Sequence, residues 1–212
     1  MIEVKHIEKR FKDQRVLQDV SISFEAGKIY GIIGRNGSGK TVFMKIICGL
    51  LRPEKGTVTV DGKEIGRDRD FPESLGAIIE NPGFIPYLSG YENLRNLSRI
   101  RNEISERQIR ETLKTVGLEE AAGKKVSKYS LGMKQRLGIA QAIMENPRYL
   151  VLDEPMNGLD KEGVEEVRKL LLKLKREGRT ILLASHNRED IALLCDEVYE
   201  MDKGILEKCK KV

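Results

Sequence analysis

The segment Gly34-Arg35-Asn36-Gly37-Ser38-Gly39-Lys40-Thr41 constrains this chain more than any other stretch of it. It fits G-x-x-x-x-G-K-[ST] and stands where the mechanism of that pattern requires. Before it runs Ile29-Tyr30-Gly31-Ile32-Ile33, a short apolar run typical of a strand buried on both faces, and after it Thr41 to Leu50 reads as a mostly buried helix ending near Gly49. Glycines let the backbone wrap a phosphate with its N–H groups turned inward, and the helix N-terminus adds a positive dipole. Lys40 offers an ammonium to the outer phosphates, and Thr41 a hydroxyl to Mg²⁺. Such a match arises by chance in roughly one sequence of this length in a hundred, and more rarely still between a strand and a helix.

The remaining pattern extends the same architecture. Ile2 to Ile7 and Val20-Ser21-Ile22-Ser23-Phe24 alternate apolar and polar residues, which predicts half-exposed antiparallel strands at the N-terminus. Thr57-Val58-Thr59-Val60 is a further strand, turned by Asp61-Gly62. From Tyr91 the period becomes helical through Leu94, Leu97, Ile100, Ile104, Ile109, Leu113 and Val116, an insertion of about 45 residues. Buried strands return at Tyr149-Leu150-Val151-Leu152 and at 180–185, separated by a helix with Val164, Val167, Leu170, Leu171 and Leu174 on one side. A last hairpin turns at Asp202-Lys203-Gly204. This order implies an α/β fold with a mainly parallel sheet flanked by helices. With 212 residues, the chain reads as one domain carrying an insertion.

Composition narrows the setting. Hydrophobic residues make up 40% and charged residues 33%, too rich in Ile, Leu and Val for disorder. The longest stretch without Asp, Glu, Lys or Arg is the eleven residues 81–91, broken by Pro82 and Pro86, whereas a membrane span needs roughly 18 or more apolar residues. No transmembrane segment of its own is expected, and the charged N-terminus is unlike a signal peptide. Cys48, Cys195 and Cys209 are an odd, scattered set, which suits a reducing cytoplasm. The net charge of +5 is concentrated in residues 91–136, which hold 11 Lys/Arg against 6 Asp/Glu. Basic segments suit anionic lipid or nucleic acid, and an ordinary solvated helical face accounts for the excess equally simply.

Leu150-Val151-Leu152-Asp153-Glu154-Pro155 places two adjacent carboxylates at the end of a buried strand, where ligands sit in open α/β sheets. Beside a phosphate loop, Asp153 suits Mg²⁺ held through bound water, and Glu154 suits polarisation of the water that attacks a γ-phosphate. Tyr129-Ser130-Leu131-Gly132-Met133-Lys134-Gln135-Arg136 precedes an apolar helix from Leu137 to Met144, with Ser130 placed as its N-cap.

Phosphate loop, Tyr-Ser-Leu-Gly-Met segment, Leu-Asp-Glu-Pro and Ser185-His186, in that order and across essentially the whole chain, resemble the nucleotide-binding subunit of ATP-binding cassette (ABC) transporters. The resemblance implies a P-loop NTPase (RecA-like) core with an N-terminal antiparallel β-subdomain and an inserted α-helical subdomain. The core and β-subdomain would take residues 1–84 and 137–212, and the helical subdomain residues 85–136. It implies ATP and Mg²⁺ as ligands. Phe11 matches the aromatic residue that stacks on adenine, with core packing as the competing role. Ser130, Leu131, Gly132 and Met133 match the signature that grips the ATP of the opposite subunit, where Ser130 and Gly132 are retained and Tyr129, Leu131 and Met133 depart. Asp160, in Asn157-Gly158-Leu159-Asp160, matches the acidic residue of the dimer loop. His186 matches the switch histidine at the γ-phosphate. Glu80, in Ile78-Ile79-Glu80-Asn81-Pro82, stands where the family usually has a metal-sensing glutamine, so Thr41, Asp153 and Glu80 become the implied metal residues.

The Glu-Asn-Pro-Gly-Phe segment, with Leu88-Ser89-Gly90-Tyr91-Glu92-Asn93-Leu94, is similar to cassette subunits of bacterial exporters of peptide antibiotics such as bacitracin and lantibiotics. That likeness implies a peripheral location on the inner face of the cell membrane, a separate polytopic permease as partner, and an ATP-dependent dimer with a second nucleotide-binding subunit. The segment around 80–91 would be its hinge and contact. A soluble cassette acting on nucleic acid or the ribosome is the alternative, although no second phosphate loop and no sustained heptads occur here. A small-molecule kinase would leave the signature and the Asp153-Glu154 pair unexplained. No direct nucleic-acid contact is expected.

Overall fold

Period-two burial along the N-terminal residues pairs β1 (Ile2–Phe11) with β2 (Gln14–Phe24) as an antiparallel hairpin, with Ile2 opposite Phe24 and Val4 opposite Ile22. The computed structural model describes residues 1–80 and 83–209, so Asn81 and Pro82 of the expected hinge lie outside the described residues. β4 (Lys55–Val60) pairs on the other side of β1, and Asp61-Gly62 turns the chain into the short β5 (Lys63–Glu64) with both residues at positive φ, as a tight two-residue hairpin requires. The first sheet therefore has the order β2-β1-β4-β5.

The second sheet has the order β10-β9-β3-β8-β7-β6. It comprises β3 (Ile29–Ile33), β6 (Leu75–Ile78), β7 (Tyr149–Asp153), β8 (Thr180–Ala184), β9 (Glu197–Asp202) and β10 (Ile205–Lys208). All but β10 are parallel to their neighbours, as expected. The side-chain alternation along these strands divides the core in two. Tyr149, Val151, Leu182 and Ala184 join the first sheet and α1 (Lys40–Ile47), while Leu150, Leu152, Ile181 and Leu183 join the helices on the other face. Burial on both faces is why these strands read as unbroken apolar runs.

The insertion contains α2 (Gly90–Arg101) and α3 (Glu106–Thr115), each opened by a reciprocal capping box, Ser89 with Glu92 and Ser105 with Gln108. Ile100 departs from the expected apolar stripe: it is 79% exposed, because the buried line of α2 runs through Gly90, Asn93, Leu94 and Ser98. α4 (Leu131–Ile143) runs unbroken through the expected boundary between residues 136 and 137, and Leu137, Ile139, Ala140 and Ala142 are buried on the sheet side. α5 (Lys161–Arg176) buries Val167 and Leu171. The edge strand β6 and the short α6 (Arg188–Leu194) carry no clear periodic pattern in the sequence. No helix among the described residues is long and apolar enough to cross a membrane.

Candidate functional site

The chemistry-bearing residues converge because the strands that precede them are parallel neighbours. Gly34 follows β3, Asp153 ends β7, Ser185-His186 follows β8 and Glu80 lies just past β6, so all sit at the carboxyl edge of one sheet. That edge is where open α/β sheets bind ligands.

A cleft of about 410 Å³ lies there, lined by residues 36–42 of the phosphate loop together with Glu80, Asp153 and Glu154, and also by Val16, Gln135 and Asn157. Gly39 is the N-cap of α1 at φ 114° and supplies no side-chain cap, and the first turn carries no acidic residue. The helix's leading N–H groups therefore stay available to an anion. Glycine is required at this point, since a Cβ on Gly39 would lie 2.8 Å from the Val16 carbonyl of β2. The Ser38 hydroxyl is buried without a hydrogen-bond partner, a polar group that a phosphate oxygen would satisfy. Lys40 is buried, and its Nζ donates to the carbonyls of Gly34 (2.6 Å) and Arg35 (3.1 Å), so the loop folds around its own ammonium.

Thr41 Oγ1 donates to Asp153 Oδ2 at 2.8 Å, which brings together two of the three expected metal residues. These are hard oxygen groups, and the described residues contain no cluster of three His, Cys, Asp or Glu side chains able to hold a metal by themselves. That donor set fits Mg²⁺, which takes one or two protein oxygens and completes its shell with phosphate and water. Glu80, the third, lines the same cleft, but its carboxylate is paired with Lys45 Nζ of α1 at 2.9 Å.

Glu154 stands at φ 50°, left-handed for a residue with a Cβ, and is held there from two sides. Its N–H donates to the Ala184 carbonyl of β8 at 3.0 Å, and its own carbonyl accepts from Gln135 Nε2 of α4 at 3.2 Å. The Glu154 carboxylate meets His186 Nδ1 at 2.9 Å, so two of the three expected catalytic side chains touch, while the third, Lys40, is turned onto the carbonyls of its own loop.

The other expected residues have definite places. Phe11 is 46% exposed at the end of the β1–β2 hairpin with Lys9 Nζ 5.4 Å from its ring centroid, so it is not a core residue; it does not line the cleft, whereas Val16 of the same hairpin does. Ser130 caps α4 by accepting from the Met133 N–H at 3.2 Å. Leu131 is 64% exposed and rests on the loop after Glu154, where a Cβ on Gly158 would lie 2.5 Å from Leu131 Cδ2. Gly132 faces the Gly158 carbonyl, and Met133 packs at the edge of the helical core. Asp160 caps α5 through the Gly163 N–H at 2.9 Å. Gln135 carries no functional signal of its own in the sequence. A glutamine buried in the first half of an otherwise solvated helix start needs a polar partner, and the Glu154 backbone provides it. Much of the basic excess is paired locally, as in Arg95–Glu106, Arg107–Glu111 and Arg136–Glu166.

A family profile described as ABC transporter matches residues 17–157. An uncharacterized ABC transporter ATP-binding protein of Bacillus subtilis, YybJ, is 47% identical over 212 residues, covering 100% of this chain and 97% of that protein. The bacitracin transport ATP-binding protein BcrA of Enterococcus faecalis is 42% identical over 208 residues, covering 97% of this chain and 68% of BcrA. Among solved structures, a dimeric bacterial ABC transporter cassette, MJ0796, superposes with a TM-score of 0.90 at 25% identity over the full length of both chains.

Proposed function

The chain belongs to the ABC transporter family as an ATP-binding, ATP-hydrolysing subunit, and on that premise we propose that it powers export of a peptide antibiotic or a similar amphipathic compound through a separate polytopic permease. The likeness to BcrA supports the substrate class. The contact between Glu154 and His186 beside the phosphate loop is the observation that carries the site assignment.

In this reading residues 34–41 cradle the β- and γ-phosphates of ATP, with Lys40 leaving the Gly34 and Arg35 carbonyls for phosphate oxygens. Thr41 and Asp153, joined by Glu80, would hold Mg²⁺, which when bound offsets charge on the phosphates. Glu154 takes a proton from the attacking water, and His186 orients the Glu154 carboxylate while presenting its ring toward the γ-phosphate. Phe11 stacks on the adenine. Ser130, Leu131, Gly132 and Met133 approach the ATP of a second subunit, and Asp160 contacts that subunit with the carboxylate oxygen its helix cap leaves over. The protein then acts on the inner face of the membrane, held there by its permease.

The decisive experiment pairs two variants. Glu154→Gln should bind ATP normally yet hydrolyse it at least about a hundredfold more slowly, because an amide cannot accept the proton; with Mg-ATP it should elute as a dimer in size-exclusion chromatography. Lys40→Ala should lose nucleotide affinity instead. Wild-type turnover in the first variant, or wild-type affinity in the second, would overturn the assignment.

A further inference from the structure

Arg168 is a buried guanidinium in the middle of α5, and its partners lie on three carboxylates. Nε and Nη2 donate to Asp190 Oδ1 at 2.8 and 2.6 Å, Nη1 donates to Glu165 Oε1 at 2.6 Å, and Nη2 lies 3.2 Å from Glu189 Oε2. Both Arg168 and Asp190 are less than a tenth exposed, so this is an interior ion pair rather than a surface one. Desolvation makes such pairs costly to bury, and replacing them by apolar residues is often neutral or stabilising. An interior pair is therefore weak evidence for stability, and its effect lies in the geometry it holds in place.

What it joins are the two helices that follow the catalytic pair in the chain. α5 starts at Asp160, in the loop that follows Glu154, and α6 starts at Asn187, directly after His186. On the sheet side, Glu154 and His186 are registered by the pairing of β7 with β8 and by the Glu154 N–H on the Ala184 carbonyl. On the helix side, α6 is a seven-residue helix whose first turn presents Glu189 and Asp190 to Arg168. The His186 side chain is itself 71% exposed and lies outside the lining of the 410 Å³ cleft, so the walls of that cleft do not fix it.

Resting on the reading of Glu154 and His186 given above, we infer that Arg168 is a positioning residue: by clamping α6 to α5 it sets the His186 ring against the Glu154 carboxylate.

The chain has only two histidines, His6 and His186, and His6 pairs with Asp19 in the β1–β2 hairpin, which makes it an internal reference for NMR. In nucleotide-free protein, Arg168→Gln and Asp190→Asn should each move the His186 ring resonances toward their position in Glu154→Gln and leave those of His6 in place. In the same variants kcat should fall about ten- to a hundredfold with ATP affinity within about twofold, as expected when a catalytic group is displaced by an ångström or so. Arg168→Lys, which keeps the charge but not the forked contact, should fall between. Circular dichroism fixes the folded fraction of each, and Asp190→Asn serves where Arg168→Gln does not fold. An unmoved His186 signal in any folded variant overturns the clamp, as does a loss of rate only in proportion to unfolding. Wild-type turnover in His186→Ala would instead overturn the underlying reading of the site.

Discussion

Thr41 Oγ1 and Asp153 Oδ2 lie 2.8 Å apart although they come from α1 and β7, so the sheet and the helix together bring the hydroxyl and the carboxylate of the expected metal site into contact. Removing either oxygen should weaken metal binding more than it weakens the fold. We expect Thr41→Val and Asp153→Asn to raise the Mg²⁺ concentration for half-maximal ATPase activity on the order of ten- to a hundredfold, with melting temperatures shifted by only a few degrees. Titration of Mg²⁺ at saturating ATP measures the first and calorimetry the second; an unchanged Mg²⁺ requirement in both variants would remove the pair from the metal site.

Much of that site is legible in the sequence because its residues sit at fixed offsets from strands that are apolar throughout. Gly34 to Thr41 follows Ile29–Ile33, and Asp153-Glu154 follows Tyr149–Leu152, so recognising the strands places the chemistry. Gln135 and Val16 were not legible, since each reaches the cleft through tertiary packing of an element whose local pattern speaks only of its own capping or pairing, whereas Asn157 follows Glu154 by three residues in the loop that the carboxylate pair already marks. The same reason hides β6 and α6: Leu75–Ile78 is four residues with a glycine, and Arg188–Leu194 is too short for its period to stand out. Ile100 misleads in the opposite sense, an isoleucine at helical spacing that the stripe of α2 leaves in solvent.

Exposed apolar residues mark where the permease should dock. Leu50, Ile85, Tyr87 and Ile100 are all exposed, and Leu50, Phe84, Ile85 and Leu97 line a groove between the sheet and the inserted helices. Single cysteines along residues 82–100 should therefore crosslink to the membrane partner, and Tyr87→Ala should weaken copurification with it by about tenfold, as loss of a buried interface anchor does. Crosslinks that map to the outer face of α5 instead would refute the docking assignment.

Strong acid should weaken the β9–β10 edge. Glu197 accepts from Lys208 Nζ at 2.7 Å, from Lys28 Nζ at 3.0 Å and from the Tyr199 hydroxyl at 3.0 Å. The Lys208 and Lys28 ammoniums outweigh burial and hold its carboxyl at about 2. A carboxylate lowered in the folded state contributes stability that is fully present above its unfolded value of about 4.3 and disappears as pH falls toward the folded value. With Lys208 well exposed and Lys28 partly so, solvent screening keeps that contribution on the order of 1 kcal/mol. Glu197→Gln should lower stability by this amount at pH 7 and flatten the decline between about pH 4.5 and 2; parallel pH profiles for the two proteins would contradict it.

Glu80 should make this ATPase bind its metal more tightly than a glutamine would. Its carboxylate pairs with Lys45 Nζ at 2.9 Å, and the residue stands at φ 59° with its side chain 63% exposed. An exposed pair of that kind is worth about 0–1 kcal/mol, so Lys45 restrains Glu80 only weakly. A carboxylate brings a full negative charge to a hard, oxygen-seeking ion where an amide brings a neutral carbonyl. Stripping water from Glu80 and its repulsion by Asp153, Glu154 and the phosphates offset part of the gain, leaving on the order of 1–2 kcal/mol, or about tenfold in affinity. Glu80→Gln should then need about tenfold more Mg²⁺ for half-maximal activity, whereas Lys45→Met, by freeing the carboxylate, should need slightly less. Binding of Mn²⁺ followed by electron paramagnetic resonance in the presence of ATP should order the three proteins the same way. Superimposable metal curves for wild type and Glu80→Gln would show that Glu80 serves only its pair with Lys45 or the permease contact.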